Sequence, residues 1–445
     1  MRKTLRAILW IGVYLALALG PLILLLVMPR PPQREFWREV AVALGFAGLS
    51  LMGLQFIPTA RLGFLADVFP MDTTYYFHHW TSVAATVFIV AHPLILIANN
   101  RYVLILFDLA NAPWRARAGI TAGVAVIGLT VLSVWRKEFK LTYEPWRLLH
   151  NLLAIGATGL ALWHIFGVRY YLASPVQRVL WTALPAVWGG LLGYVKLYKP
   201  WHMLQHPYRI KEIRKERGDC WTLAIEPVGH AGLTFEAGQF AWLTIGKSPF
   251  VIREHPFSFT SSAERAGSLE FTVKELGDFT SRLKEFEPGT PVYVDGPYGE
   301  FQIGRSINVR DEHEAPGYVF LAGGIGSAPV MGILRTLADR GDERRLYLFY
   351  GNYDWEQVTF REEIEALRRR LNLEVIHVLE KPAPDWEGER GYITAEVLDR
   401  HLPDDRQALV YFICGPIPMI QPVKSALRQL GIPRGRIYEE RYEMA

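Results

Sequence analysis

The stretch FHHWTSVAATVFIVAHP, residues 77–93, carries two histidines, His78 and His92, that lie 14 residues apart in an apolar run. A second stretch, HNLLAIGATGLALWH, residues 150–164, begins and ends with histidine and so repeats the spacing. On an α-helix, 14 residues turn through about 1400°, within ~40° of whole turns, and rise ~21 Å. Each pair therefore lies on one face of its helix, near the two ends of a membrane span.

If the two helices are neighbours, His78 faces His150 at one level and His92 faces His164 at the other. Starting from His79 instead gives 13 residues to His92 and places those rings on nearly opposite faces. Imidazoles within membrane spans are rare and usually functional. The pattern predicts two stacked haems, each with its iron bound axially by two neutral imidazoles. The alternative is a helix bundle in which the histidines only form hydrogen bonds.

Six uncharged segments are long enough to cross a bilayer, which requires ~20 apolar residues and at least ~17. These segments are residues 7–28, 40–60, 73–100, 118–135, 148–168 and 179–195. Because their number is even, both chain termini are expected on the same side of the membrane. Residues 1–200 are therefore predicted to be a membrane domain of six transmembrane helices.

Charge divides the chain into two unlike halves. Residues 1–200 carry 18 Lys and Arg against 7 Asp and Glu, whereas residues 201–445 carry 30 against 37. The basic half suits the anionic head groups of a lipid bilayer. Lys and Arg form no pattern interleaved with aromatic residues, so no nucleic-acid partner is expected. The only cysteines, Cys220 and Cys414, lie in the second half, and no structural disulfide is predicted.

The second half changes its pattern once. Residues 201–303 contain short alternating segments separated by Gly and Pro, which is typical of antiparallel β-strands. Residues 304–316 are polar and are predicted to be a linker. Residues 317–445 alternate strands with helices, as in a doubly wound α/β domain.

A glycine-rich turn opens the α/β domain. Gly323, Gly324 and Gly326 follow a predicted strand, and Ser327 and Pro329 begin the next helix. Glycines allow the backbone to approach a pyrophosphate, and the helix N-terminus supplies amides and a positive dipole. The turn therefore predicts a nucleotide site; the alternative is a tight strand–helix turn that needs small residues only.

Further motifs follow in a fixed order around this turn. They are His-Pro-Phe-Ser at 255–258, Gly-Asp-Phe-Thr at 277–280, Gly-Pro-Tyr-Gly at 296–299 and Cys-Gly-Pro at 414–416. This order resembles that of ferredoxin–NADP reductase-like modules, and the His-Pro-Phe-Ser variant resembles that of the NADPH oxidases and ferric reductases. The membrane motifs agree: Ala91-His92-Pro93 and Tyr-Glu-Pro-Trp-Arg-Leu-Leu-His at 143–150. From about Arg61 onward, the chain resembles prokaryotic NADPH oxidase and ferric reductase-like transmembrane flavocytochromes b.

The resemblance implies an antiparallel β-barrel that binds FAD, followed by an α/β domain that binds NADPH or NADH. Phe257 would pack against the flavin ring, with Ser258 near its reactive nitrogen. His255, followed by Pro256, falls where the soluble relatives have an arginine. The FAD pyrophosphate would be held by one cation and by backbone amides, namely Lys274 and the amides of Gly277, Asp278, Phe279 and Thr280.

In the nucleotide domain, the resemblance places Cys414, followed by Gly415 and Pro416, beside the nicotinamide carbon that gives up hydride. The alternative for Cys414 is a buried core cysteine. Tyr442 would cover the flavin until nicotinamide displaces it. The choice between NADPH and NADH stays open at this point.

The implied function is transmembrane electron transfer by an integral protein of the plasma membrane, with its FAD and NAD(P)H domains cytoplasmic. Electrons would pass from NAD(P)H to FAD, then to an inner haem at His78 and His150, then to an outer haem at His92 and His164. Oxygen, giving superoxide, is the first choice of acceptor and a ferric chelate the second. A haem–flavin subunit that feeds a partner protein, or a redox sensor, are the other interpretations, and the oligomeric state stays open.

Overall fold

A computed structural model describes residues 2–27, 32, 34–66, 68–251, 253–265, 267–303 and 315–441. Within it, the chain forms two compact units, Met1–Lys199 and Pro200–Ala445. Most of the predicted linker, residues 304–314, lies outside the described residues.

The first unit is helical. Its helices, together with the one that leads into the second unit, are α1 (Arg2–Val27), α2 (Phe36–Leu54), α3 (Phe56–Thr59), α4 (Gly63–Ala66), α5 (Met71–Asn99), α6 (Trp114–Val134), α7 (Tyr143–Val168), α8 (Pro175–Gly193) and α9 (Lys199–Gln205). The two histidine stretches lie on α5 and α7. Helix α5 packs mainly against α2, and α7 mainly against α6.

Five described helices are long and apolar enough to span a membrane, rather than the six predicted. They are Thr4–Leu24, Phe36–Thr59, Met71–Asn99, Trp114–Val134 and Tyr143–Val168. The sixth predicted span falls on α8, a continuous helix that contains Pro185 and carries Gln177 and Arg178 in its first turn. Trp181 and Trp188 of α8 are buried in a cluster with Phe46 of α2. Helix α8 therefore packs within the bundle, and the sixth span is not confirmed.

The second unit begins with an antiparallel sheet. Its strands are β1 (Tyr208–Glu216), β2 (Cys220–Pro227), β3 (Phe240–Ile245), β4 (His255–Ser258), β5 (Leu269–Lys274) and β6 (Pro291–Tyr298). They pair in the order β4-β3-β6-β1-β2-β5. A bridge between Phe259 and Phe271 joins the chain after β4 to β5, at the opposite edge. Both of these phenylalanines are fully buried, so this bridge closes the sheet around its apolar core.

A parallel sheet with helices follows. Its elements are β7 (Gly317–Gly323), α10 (Ser327–Arg340), β8 (Arg345–Asn352), α11 (Arg361–Arg368), β9 (Leu373–Leu379), β10 (Glu389–Arg390), α12 (Ala395–His401), β11 (Val410–Cys414), α13 (Ile417–Gln429) and β12 (Ile437–Glu440). The strand order is β10-β9-β8-β7-β11-β12. The order reverses between β7 and β11, and open α/β sheets bind ligands at the carboxyl ends of strands at such a point. The turn after β7 is the glycine turn, and β11 ends at Cys414.

Candidate functional site

Two pairs of histidines face each other from helices α5 and α7. The ring centres of His78 and His150 are 6.2 Å apart, and those of His92 and His164 are 6.4 Å apart. Two imidazoles that bond one metal ion from opposite sides, each at about 2 Å, place their ring centres roughly 6 Å apart. The structure thus brings together the pairs expected from the spacing, at separations that fit one axially bound iron each.

The hydrogen bonds of the second pair determine which ring nitrogen is free. His92 Nδ1 donates to the carbonyl of Ala41 over 2.8 Å, and His164 Nδ1 donates to the carbonyl of Arg115 over 2.7 Å. A carbonyl oxygen can only accept, so in both rings Nδ1 carries the proton. Nε2 then keeps its lone pair, which is the form that binds a metal, and the bond at Nδ1 fixes the orientation of the ring.

The first pair is supported differently. Ser133 Oγ donates to the carbonyl of Leu129 over 2.7 Å and lies 3.1 Å from His150 Nδ1. Since the single hydroxyl proton is used on Leu129, Ser133 accepts from His150, which again leaves Nε2 free. The Nδ1 atom of His78 is buried and has no hydrogen-bond partner among the described residues.

Glycine allows two of the rings to lie against a neighbouring helix. A Cβ on Gly119 of α6 would stand 2.7 Å from His164 Nδ1, and one on Gly45 of α2 would stand 3.1 Å from His92 Nδ1. Any side chain at Gly119 would therefore displace the ring of His164. The backbones of α2 and α6 approach the second histidine pair closely because these positions are glycine.

No group of three or more His, Cys, Asp or Glu side chains converges to hold a metal ion in the described part of the chain. A site built only from side chains, such as a zinc site, needs such a group. Haem iron receives its equatorial ligands from the porphyrin and needs only the axial pair. Each histidine pair supplies two protein ligands, which is the number that axial ligation of a haem uses.

In the second unit, three aromatic rings lie in a row, two from β4 and one from the loop after β5. His255 and Phe257 point to the same face of β4, because successive side chains of a strand alternate. The ring of Phe279 stacks on His255 at 3.8 Å and 17°, and it lies 6.1 Å from Phe257 at the same angle. Residues of two predicted FAD motifs thus form one row of nearly parallel rings, a surface suited to a flat aromatic cofactor.

The remaining residues of the first motif are ordered by the sheet. Pro256 lies opposite Trp242 and Ser258 opposite Phe240 in the antiparallel pairing of β4 with β3. Ser258 is almost completely buried, with 3% of its surface exposed. This burial places the hydroxyl inside the module rather than on its surface.

Thr280 organises the loop predicted to hold the FAD pyrophosphate. Its Oγ1 accepts from the amides of Leu276 and Gly277, over 2.9 and 3.0 Å, and donates to the carbonyl of Gly277. The amide of Gly277 is therefore used within the turn, which differs from its predicted role as a donor to the pyrophosphate. Asp278 is exposed, and Lys274 ends β5 and is half-buried.

The glycine turn after β7 lies against the end of β11. A Cβ on Gly326 would stand 2.2 Å from the carbonyl oxygen of Cys414, and one on Gly323 would stand 2.4 Å from Met419 Sδ. Both glycines are thus required by packing of the turn against Cys414, Gly415 and the first turn of α13. This is the structural alternative that the sequence left open, and it accounts for two of the three glycines.

Gly324 differs from its neighbours. Its φ is +53°, and a Cβ built there would meet nothing within 4 Å. The backbone at this residue faces open space at the end of β7, where the strand order reverses. It is the position in the turn where a phosphate can approach the chain.

A hydrogen bond from a residue of β8 fixes the start of α10. Tyr350 Oη donates to Ser327 Oγ over 2.9 Å. Burial raises the pKa of Tyr350 to about 12, so this hydroxyl stays protonated and acts as a donor. Pro329 is buried in the first turn of the same helix. Ser327 and Pro329 therefore position the helix N-terminus that follows the glycine turn.

Cys414 and Pro416 lie on either side of Gly415 at the carboxyl edge of the parallel sheet. Cys414 is fully buried, between Ala322 of β7 and Glu440 of β12. Tyr442, predicted to cover the flavin, lies outside the described residues.

Sequence reasoning missed two residues. Ser133 belongs to no motif and precedes His150 by 17 residues, in a different helix. Glu440 is 8% exposed, and its Oε1 lies 3.5 Å from where a Cβ on Gly299 would stand. Only the pairing of β12 with β11, which local sequence does not reveal, brings this carboxylate beside Cys414.

Three family models match consecutive parts of the chain. They are a ferric reductase like transmembrane component at residues 44–161, an FAD-binding domain at 213–302 and an oxidoreductase NAD-binding domain at 320–425. This order is the architecture of the NADPH oxidase and ferric reductase-like flavocytochromes, and the predicted resemblance is confirmed. The chain is thus an oxidoreductase with a transmembrane domain and a reductase module that binds FAD and NAD(P)H.

Similar curated proteins match the reductase half. The reductase component of propane 2-monooxygenase from Rhodococcus jostii (strain RHA1) is 30% identical over 53% of this chain and 62% of its own length. Ferredoxin–NADP reductase B from Sorangium cellulosum (strain So ce56) is 29% identical over 50% of this chain and 91% of its own. NADH-cytochrome b5 reductase 1 from Cryptococcus neoformans is 30% identical over 40% of this chain and 62% of its own length. The chain spans less than two thirds of the first and third of these relatives.

Solved structures also resemble this half. An Amycolatopsis cytochrome P450 reductase is 22% identical, with coverage of 53% of this chain and 69% of the other and a TM-score of 0.47. The FAD/NAD-binding domain of a nitric oxide dioxygenase from Vibrio cholerae O1 biovar El Tor is 21% identical, with a TM-score of 0.46. The match covers 53% of this chain and 97% of the other.

Proposed function

We propose that this protein carries electrons across a membrane, from NAD(P)H through FAD and two b-type haems to an acceptor on the opposite side. The observation that carries the proposal is that two pairs of histidine rings face each other, with ring centres 6.2 and 6.4 Å apart, in a chain that also has a reductase module. The reductase module is assigned to the cytoplasmic side of the plasma membrane, because NAD(P)H is a cytosolic reductant.

FAD, when bound, divides the two electrons of a hydride into single electrons, and each haem carries one of them at a time. With oxygen as acceptor, one NAD(P)H and two O₂ give one NAD(P)⁺, one proton and two superoxide anions. The proton is released where the nicotinamide is oxidised, and the electrons leave on the other side.

The membrane half of the chain holds the imidazoles in the metal-binding form. Backbone carbonyls of Ala41 and Arg115 accept from the second pair, and Ser133 accepts from His150. Such partners orient a metal-bound histidine and raise the basicity of its free nitrogen. No rearrangement of these rings is then needed when iron binds.

The reductase half offers one surface that suits a flavin and another that suits a nucleotide. The aromatic row formed by His255, Phe257 and Phe279 offers a surface for the flavin. At the reversal of strand order, Gly324 opens the backbone to a phosphate and Cys414 ends the adjacent strand. We assign Cys414 and Tyr442 to the hydride-transfer step, in which hydride leaves the nicotinamide carbon.

Oxygen is the acceptor that the extracytoplasmic loops suit best. Their carboxylates are each used within the chain: Glu35 accepts from Asn99, Glu39 from Tyr171, and Asp108 from Asn111. Ferric iron is a hard acid that favours a group of oxygen ligands. A small neutral molecule such as O₂ needs only access to the edge of the outer haem.

The test is a spectrum of the purified full-length protein. NAD(P)H added without oxygen is expected to reduce both haems, and admission of oxygen to reoxidise them with formation of superoxide that superoxide dismutase removes. NADH and NADPH are compared in the same assay. Absence of haem reduction by either coenzyme would contradict the proposal.

Reduction of a ferric chelate is the second candidate. The match of residues 44–161 to a ferric reductase like transmembrane component favours it. Arg117 donates to the carbonyls of Ala110 and Ala112, which leaves Arg115 as the more available cation for an anionic chelate. Chelate reduction that continues at full rate without oxygen and resists dismutase would establish this activity instead.

A further inference from the structure

The buried nitrogen atoms of the described membrane unit that have no hydrogen-bond partner include three on α7 or in the turn that precedes it. They are Arg136 Nη1, Trp146 Nε1 and Asn151 Nδ2. A buried donor without an acceptor costs about 1–3 kcal/mol, and more when it is charged. Three such atoms in one place therefore indicate an acceptor that the polypeptide itself does not supply.

Two of these side chains are linked to His150 by ring contacts, and the third belongs to the next residue of α7. The rings of Trp146 and His150 are 5.3 Å apart, one helical turn from each other on α7. The guanidinium of Arg136 lies over the ring of Trp146 at 4.9 Å. Asn151 directly follows His150, and Arg136 follows Ser133, which accepts from His150, by one helical turn. The donors thus gather at the level of the first histidine pair and not of the second.

The surroundings are electropositive. Arg147 interacts electrostatically with Arg61, and Lys196 interacts with both. The carboxylates nearest in sequence are Glu138, two residues after Arg136, and Glu144 in the first turn of α7, and they are outnumbered by Arg61, Arg136, Arg147 and Lys196. Hydrogen-bond donors that have no acceptor and lie among positive charges favour an anionic ligand, which accepts hydrogen bonds and donates none.

We propose that Arg136, Trp146 and Asn151 bind the propionate carboxylates of the haem held by His78 and His150. This inference rests on the proposed function, because it needs that haem. A carboxylate accepts from both guanidinium and ring N–H groups, and a planar guanidinium can bind it through two parallel bonds. The phosphate of a lipid head group has the same chemistry, but these nitrogen atoms are buried beside the imidazole.

The first experiment compares variants of the full-length protein in nanodiscs of neutral lipid. Arg136→Ala and Trp146→Phe are each expected to weaken binding of one haem roughly tenfold or more, since each removes a bond to a charged group. Loss of the positive charge in Arg136→Ala is also expected to lower the midpoint potential of that haem only. Arg136→Lys keeps the charge and is expected to restore most of the potential, and Lys137→Ala, an exposed neighbour, is the matched control.

The second experiment uses haem dimethyl ester, in which both carboxylates are blocked. Wild type is expected to bind the free acid more tightly than the ester at the His78–His150 site, and Arg136→Ala to lose this preference. An unchanged preference, or unchanged affinity and potential in both variants, would overturn the inference. An effect of Arg136→Ala that appears only with anionic lipid, and is the same for free haem and its ester, would assign the donors to a phospholipid and overturn the inference.

The two proposals fail in distinguishable ways. If wild type binds no haem, or if His150→Ala keeps both haems, the proposed function fails. If wild type binds two haems and His150→Ala loses one, while Arg136→Ala and Trp146→Phe behave like Lys137→Ala, only the propionate assignment fails. The content of the other haem, held by His92 and His164, checks that the membrane unit of each variant is folded.

Discussion

Arg335 of α10 donates from Nη1 to Glu270 of β5 over 2.9 Å, and so joins the nucleotide domain to the FAD domain. The same guanidinium binds Glu363 through two bonds of 2.7 Å and donates to the carbonyl of Thr260. Burial acts to lower the pKa of Arg335, but the hydrogen bonds and charge of Glu363 outweigh it and raise the pKa. Arg335 therefore stays charged within a largely buried network.

Arg335→Ala is expected to lower the free energy of unfolding of the reductase module by about 3 kcal/mol, because Glu363 loses its partner and Glu270 keeps only Arg214. Thermal unfolding, followed by release of FAD fluorescence, measures the change. Arg340→Ala breaks an ion pair with Glu264 in which both side chains are more than 35% exposed, and is the control, with an expected loss below about 1 kcal/mol. Equal losses in the two variants would contradict this account of the network.

His377 predicts a dependence of stability on pH. It lies edge-on to Trp355 at 4.9 Å, and burial lowers its pKa to about 4. The unfolded chain, with an ordinary histidine pKa near ~6.5, then binds more protons than the folded chain between about pH 4 and pH 6.5. Stability is therefore expected to fall as the pH is lowered through this range, by up to roughly 3 kcal/mol.

His377→Phe removes the titrating group and keeps a ring of similar shape. Its unfolding free energy is expected to change less than that of wild type between pH 6.5 and pH 4. Denaturant unfolding at several pH values is the measurement. Parallel curves for the two proteins would show that His377 is not the group responsible.

Thr280 offers a test of the FAD loop. Because its Oγ1 closes the turn at Leu276 and Gly277, Thr280→Val is expected to weaken FAD binding roughly tenfold, and Thr280→Ser to retain it. Fluorescence titration of FAD gives the affinities. The neighbouring Ser281→Ala serves as the control, and equal affinity in the valine and serine variants would refute the role of this hydroxyl.

Ser133 tests the support of His150. Ser133→Ala removes the acceptor of His150 Nδ1 and is expected to weaken one haem roughly tenfold or more, as loss of such partners does in other metal sites. Thr130→Val, whose hydroxyl bonds Thr86 at 2.7 Å instead of a histidine, is the matched control. Haem content after dialysis against apomyoglobin measures the loss, and a content equal to that of the control would contradict the prediction.

The sequence predicted the elements whose signal is local. The repeated spacing of 14 residues placed each histidine pair on one helix face, because helical periodicity alone determines it. The strands and helices of the α/β domain were predicted from alternation and turn residues, and helix α10, predicted to begin at Ser327 to Pro329, extends over Ser327–Arg340. Helix ends are set by caps and packing, which a periodic pattern does not contain.

What depends on distant partners was not predictable. The acceptors of His92 and His164 are backbone carbonyls of other helices, so no residue type marks them. Two glycines of the nucleotide turn pack closely against Cys414 and Met419, and the sequence could not decide between this packing role and a phosphate site. Helix α8 was predicted to be a span from its apolar residues, and it is not among the five described helices that are long and apolar enough to cross a membrane, so this span is not confirmed.

The central claim is that each histidine pair binds one haem, and single-residue variants test it most directly. His92→Ala and His164→Ala are expected to lose the same haem, and His78→Ala and His150→Ala the other, with His79→Ala as the control that keeps both. Pyridine haemochrome content and redox titration of each purified variant identify which haem is missing. If His92→Ala and His164→Ala lose different haems, or if any of the four variants keeps both, the pairing of α5 with α7 through iron is contradicted.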